Sequence, residues 1–159
     1  MLKNKSKIII LFISILVIAC SKNSNPKLEE VNSIIKSGNL NHEFYLETAI
    51  LIIPNAGCEG CITNSENFVM TNIDRTNQLD IIFTAVSSIK GLKLKLGRDL
   101  VERENVFVDT DNIFYSSTLA SIYPSIVYLK DKKAVQIEEV SPYNEQALDT
   151  LAIRLKDLR

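Results

Sequence analysis

The chain contains no tryptophan, one histidine, three cysteines, four prolines and five glycines in 159 residues. The single histidine, His42, leaves no imidazole set for a His-based metal centre and little from which to build a serine-type triad. So few glycines and prolines exclude a collagen-like or low-complexity chain. An excess of basic charge is also missing. Of 18 basic residues, Lys3, Lys5 and Lys7 fall in the first nineteen positions, which hold no acid. The body from residue 20 therefore has 15 basic residues against 19 acidic ones, a net charge of −4. A mildly acidic body argues against nucleic acid as a partner. The length suits one domain and excludes a multidomain enzyme.

What is present at the start reads as an address. Met1–Lys7 is short and basic, and Ile8–Ile18 is an apolar run broken only by Ser14. A basic head, an apolar stretch of this length and small Ala19 describe a signal peptide over residues 1–19, too short for a comfortable membrane span. Val17-Ile18-Ala19-Cys20 resembles a bacterial lipobox, which implies cleavage before Cys20 and acylation of that cysteine. Several acyl chains give stable anchoring. Residues 20–27 then form the lipidated cysteine and a polar tether, and residues 28–159 the folded domain. The expected location is a bacterial cell envelope, facing the periplasm.

Setting Cys20 aside leaves Cys58 and Cys61, a C-x-x-C pair in an exported chain where thiols can oxidise. Around it the apolar pattern alternates between strand and helix. Leu28, Val31, Ile34 and Ile35 predict a helix stopped by Gly38. Leu46–Ile53 ends in a continuous apolar run halted by Pro54, as in a strand buried on both faces. Cys61–Asp74 reads as a helix with Ile62, Val69 and Ile73 on one side. Leu79–Val86 is a second buried strand, and Ile89, Leu92, Leu96 and Leu100 predict one further helix. Asn105–Asp109 is a third strand, and 113–122 a short helix and loop. Ser125–Leu129 and Ala134–Val140 are strands joined at Lys130–Lys133 as an antiparallel hairpin. Ser141 and Pro142 have the chemistry of an N-cap and first position for a last helix whose stripe is Leu148, Leu151, Leu155 and Leu158. The expected fold class is α/β: a mixed central sheet of about five strands with helices on both faces.

The C-x-x-C follows a buried strand and opens a helix. The first helical turn carries unpaired N–H groups and the positive end of the dipole, both of which favour a thiolate. Cys58 at the head of the helix is the expected nucleophile. Cys61, one turn in, is the expected resolving thiol that attacks a mixed disulfide.

Three features together are similar to the thioredoxin-like family, in particular its membrane-tethered thiol–disulfide oxidoreductases of bacterial envelopes. They are the strand running into Cys58-Glu59-Gly60-Cys61, the order of strands and helices, and Tyr123-Pro124-Ser125-Ile126-Val127-Tyr128-Leu129 before the hairpin. The likeness covers about residues 46–159. It implies a thioredoxin-like fold, a cis peptide bond at Pro124 packed beside the active cysteines, and substrate docking along the backbone of Tyr123. It implies protein thiols and disulfides as substrates, an upstream thiol donor, and no separate cofactor; a monomer is expected. The chain departs from the family where Gly57 replaces an aromatic residue, Gly60 a proline and Ile52 a buried acid. Glu59 adds a negative charge that opposes thiolate formation beside Cys58.

Other chemistries use the same residues. Pro54 to Cys61 has the spacing of the peroxiredoxin motif with cysteine in place of threonine, so that Cys61 would attack peroxide, Cys58 would resolve it, and Arg98 or Arg103 would activate it. A structural staple is a second alternative, although a loop this short removes little chain entropy. Two thiolates and His42 make a weaker copper-site alternative, and no metal is expected. Asp109 and Asp111 lack the EF-hand pattern and read as a polar turn. Lys90, Lys93, Lys95 and Arg98 read as a solvated helix face that can also touch anionic headgroups.

Overall fold

A computed structural model describes residues 25–37, 48–72, 74 and 78–156. The signal segment, Cys20, His42, Ile73 and Leu158 lie outside the described residues. The elements are α1 (Pro26–Ser37), β1 (Ala49–Pro54), α2 (Glu59–Asn72), β2 (Leu79–Thr84), α3 (Ile89–Leu96), α4 (Arg98–Val101), β3 (Val106–Val108), a 3₁₀ turn (Ile113–Tyr115), β4 (Ser125–Lys130), β5 (Lys133–Glu139) and α5 (Ala147–Lys156). The strands form one five-stranded sheet in the order β3-β2-β1-β4-β5. β1 is parallel to β2, and β2 to β3; β4 is antiparallel to both β1 and β5. The α/β class and the mixed sheet of five strands are as the sequence predicts.

β1 and β2 are buried along their whole length, and alternate residues supply two cores. Ala49, Leu51, Ile53, Leu79, Ile81 and Phe83 face a layer built from α2, α3, α4 and α5. Ile50, Ile52, Ile82 and Val127 face α1 and the 3₁₀ turn with Phe114 and Leu119. The steps β1 to β2 to β3 move in one direction across the sheet. Right-handed crossovers must then put α2, α3 and α4 on one face. The return from β3 to β4 crosses the other face.

Local chemistry moves several boundaries. α1 begins inside the expected tether, because Asn25 Oδ1 accepts from the Lys27 N–H at 3.0 Å and Pro26 takes the first position. Asn32 then pins α1 to the edge strand by donating to the Ala134 C=O and accepting its N–H, both at 2.9 Å. The single helix expected over 89–100 is two, since Gly97 at φ +91° ends α3 by donating to the Lys93 C=O. The last helix starts at Ala147 and not at Pro142. Asn144 donates to Glu138 Oε2 and the Glu139 C=O, which holds residues 141–146 in turns. The hairpin turn has both Asp131 and Lys132 in the left-handed region, as the twist of a two-residue connection requires.

Asp109 closes the far end of β2. Its buried carboxylate accepts from Thr84 Oγ1 at 2.8 Å and from the N–H groups of Ile113 and Phe114 at 2.9 and 2.8 Å. The polar turn expected at 109–111 is thus a hydrogen-bonded knot that seats the 3₁₀ turn. Three of the four basic residues on α3 and α4 are ion-paired, and Lys90 is exposed. Lys93 and Arg98 meet Glu102, and Lys95 meets the buried Glu66 of α2. The Lys93 hydrogen bond holds the Glu102 carboxyl below its ordinary pKa against the desolvation that raises it, and the Lys93 and Arg98 charges also lower it.

Tyr128 is buried under the Arg154 guanidinium, 3.8 Å from its ring centroid, and donates to Glu138. Burial first, and then the hydrogen bond and charge of Glu138, push its phenol far above the ordinary value, while Arg154 acts against them. The folded state therefore keeps a proton that the unfolded chain loses near pH 10. Stability contributed by Tyr128 is present below pH ~10 and declines above it. Ultraviolet titration should leave one tyrosine unionised after the exposed ones have titrated, and Tyr128→Phe should abolish that late phase.

Candidate functional site

Topology brings three chain segments to one end of the sheet. β1 ends at Pro54 and passes through Asn55–Gly57 into α2. β4 is antiparallel to β1, and Ile52 lies opposite Ser125, so the approach to β4 arrives at the same end. β5 is antiparallel to β4, and Ser125 lies opposite Glu139, so the exit from β5 arrives there too. Cys58 sits where these three segments meet.

Cys58 is the N-cap of α2: its C=O accepts from the Ile62 N–H at 2.9 Å. Its own N–H donates to the Ile122 C=O at 2.8 Å. That contact explains Gly57. Its φ of +146° is one that L residues rarely adopt, and a Cβ there would lie 2.8 Å from Ile122 Cα and carbonyl carbon. An aromatic side chain at position 57 has no room. The same loop is tied on its other side by the Val140 N–H, which donates to the Pro124 C=O at 2.8 Å.

Cys58 and Cys61 are joined in a disulfide with a Cα–Cα distance of 5.3 Å. The two cysteines differ in burial. Cys58 is partly exposed, whereas Cys61 is 7% exposed and packs inward with Ile62, Ser65, Glu66 and Val69. The N–H groups of Glu59, Gly60 and Cys61 occupy the first turn, where an N-cap side chain is positioned to accept. A thiolate at Cys58 would fill that role and lie at the positive end of the helix. Glu59 is exposed beside it and acts in the opposite sense.

A hollow of about 440 Å³ opens beside the disulfide. Cys58, Gly60, Cys61 and Asn64 form one wall; Val140, Ser141, Pro142, Glu145 and Leu148 form the other. The second wall is absent from the sequence reading. Its signal was the hairpin itself, since an antiparallel β5 must end beside the start of β4. The stripe read as core divides accordingly: Leu151 and Leu155 are buried, while Leu148 also lines the hollow.

The cis bond expected before Pro124 is not found. No peptide bond among the described residues is cis, so the bond before Pro124 is trans. The segment is held in this form by the Cys58 and Val140 hydrogen bonds and by the Tyr123 N–H, which donates to Ser121 Oγ at 3.1 Å. The residue whose backbone meets Cys58 is Ile122. Tyr123 lines a separate narrow crevice with Ile52, Pro54, Tyr115 and Ser125. Neither Arg98 nor Arg103 lines the hollow: Arg98 pairs with Glu102 and Arg103 with Asp74. No helix among the described residues is long and apolar enough to cross a membrane.

No family model, curated protein or solved structure matches the chain.

The two glycines of the site should behave oppositely. Gly57→Ala combines a disfavoured φ with a backbone collision and should cost about 2–4 kcal/mol of stability. Gly60 has open space at its Cβ position and helical geometry. Gly60→Ala should be neutral or stabilising by up to about 1 kcal/mol. Urea denaturation of both oxidised variants reads the contrast.

Proposed function

We propose that this chain is a thiol–disulfide oxidoreductase of thioredoxin-like fold, held at the surface of a bacterial envelope membrane by lipid on Cys20 and acting on protein thiols through Cys58 and Cys61. The observation that carries the reading is the asymmetric disulfide at the head of α2, with Cys58 partly exposed and Cys61 largely buried, both at the wall of an open hollow. An inert staple needs neither the helix terminus nor the open hollow beside it. The sheet order, with the cysteines after central β1 and an antiparallel hairpin beyond it, supports the thioredoxin-like arrangement. The apolar run Ile8–Ile18 ending in Ala19-Cys20 supports the anchor.

In the reducing direction the Cys58 thiolate attacks one sulfur of a substrate disulfide. A Cys58–substrate bond forms, the substrate S–S bond breaks, and the electron pair leaves on the other substrate sulfur, which takes a proton. Cys61, as thiolate, then attacks Cys58 sulfur, closes the 58–61 disulfide and releases the second substrate thiol. Two electrons pass from the cysteine pair to the substrate. An upstream dithiol restores the pair by the same steps in reverse. The hollow gives the partner chain room beside the disulfide, and the Ile122 backbone holds Cys58 in place. The preferred direction follows from the potential of the pair: about −270 mV is typical of a reductant and about −120 mV of an oxidant.

Catalysed reduction of insulin by dithiothreitol tests the proposal. The protein should shorten the lag before the insulin chains precipitate, and Cys58→Ala should abolish the effect while leaving the fold intact by circular dichroism. Equal rates with and without the protein, in both reducing and oxidising assays, would overturn it.

A further inference from the structure

Ser65 is fully buried, and its Oγ is the one buried side-chain polar atom without a hydrogen-bond partner among the described residues. A buried hydroxyl in that state carries a desolvation penalty, so its retention calls for a physical reason. The usual outlet for a helical serine is the C=O one turn back, and Ser65 does not use it. Ser65 lies one turn after Cys61, on the same inward face of α2. Helical side chains lean toward the N-terminus, so the turn its side chain covers is the one that holds Cys61.

We infer that Ser65 is a positioning residue for the buried sulfur: its hydroxyl lacks a partner while the 58–61 disulfide is closed and donates to Cys61 Sγ once that bond opens. The inference deepens the proposed exchange chemistry and rests on it for its biological meaning. When a donor thiolate attacks Cys58, a donor–Cys58 bond forms, the 58–61 bond breaks, and the electron pair goes to Cys61 Sγ. Cys61 as a residue is 7% exposed, at the edge of the hollow, so few waters are in reach to stabilise the new anion. The adjacent buried carboxylate, Glu66, is committed to Lys95 at 2.6 Å. Ser65 supplies a donor on the same face without adding a charge. A second donor thiolate then releases Cys58, and the two protons of the donor dithiol end on Cys58 and Cys61. The hydroxyl thus favours the reduced form and lowers the cost of the step that expels Cys61.

The test is the equilibrium of the full chain with reduced and oxidised dithiothreitol. Ser65→Ala should lower the equilibrium constant for reduction about fivefold, as loss of one net hydrogen bond implies, which is a potential about 20 mV more negative. The thermal midpoint should fall in the reduced protein and hold or rise in the oxidised one. Ser65→Thr and Ser65→Val are matched in shape and differ in the hydroxyl, so the Thr variant should be the more readily reduced. A constant within twofold of the parent for Ser65→Ala, or equal constants for the Thr and Val variants, would overturn the role of Ser65. This equilibrium is measurable whether or not the protein reduces insulin. Failure of the insulin assay alone would remove the enzymatic reading and leave this one standing.

Discussion

The site depends on one backbone contact, the Cys58 N–H donated to the Ile122 C=O at 2.8 Å. It fastens the turn after β1 to the segment that enters β4, two stretches separated by more than sixty residues. The contact is possible because Gly57 has no side chain to hold the two backbones apart. With it in place, Cys58 is fixed at the N-cap, α2 leaves the sheet over its first core, and Cys61 is turned inward. The Val140 bond to Pro124 extends the same tie to the exit from β5. The proposed exchange with visiting proteins calls for a disulfide on a rigid mount, and these backbone links supply one.

The fold was legible wherever burial dictated the pattern. Ala49–Pro54 and Leu79–Thr84 are buried on both faces because both are interior strands with cover on each side, although Asp80 and Thr84 interrupt the apolar run of the second. The Leu151–Leu155 stripe reports the same constraint at helical spacing. Legibility failed where a single polar side chain decides the geometry. Asn144, bonded to Glu138 and the Glu139 C=O, keeps Ser141 and Pro142 out of the last helix although their residue types suit its start. Asn25 draws α1 into what read as tether. Such bonds join residues by accidents of loop path that periodicity does not encode.

The candidate site divides along the same line. Cys58 and Cys61 were visible because a motif at a strand-to-helix junction is local. The far wall of the hollow was not, because Val140, Pro142 and Glu145 reach the cysteines through sheet topology. The resemblance implied a cis bond before Pro124, and that bond is trans; Ile122, whose backbone meets Cys58, carried no motif. Ser65 had no sequence signal, since a serine inside an amphipathic helix reads as a surface residue until its burial is known.

Electrostatics at the cysteines are balanced between opposing contributions. The open N–H groups of α2 and its dipole favour a thiolate at Cys58, and the exposed Glu59 disfavours it. The first acts at hydrogen-bond range and the second through solvent, so the helix terminus should prevail. The most direct measurement is the pH dependence of alkylation of Cys58 in the Cys61→Ala protein, where Cys58 remains as the one thiol of the pair. A midpoint clearly below the ordinary thiol value of about 8.5 is the expected result. A midpoint at or above that value would mean that the first turn of α2 does not activate the sulfur, contradicting the proposed chemistry at its root.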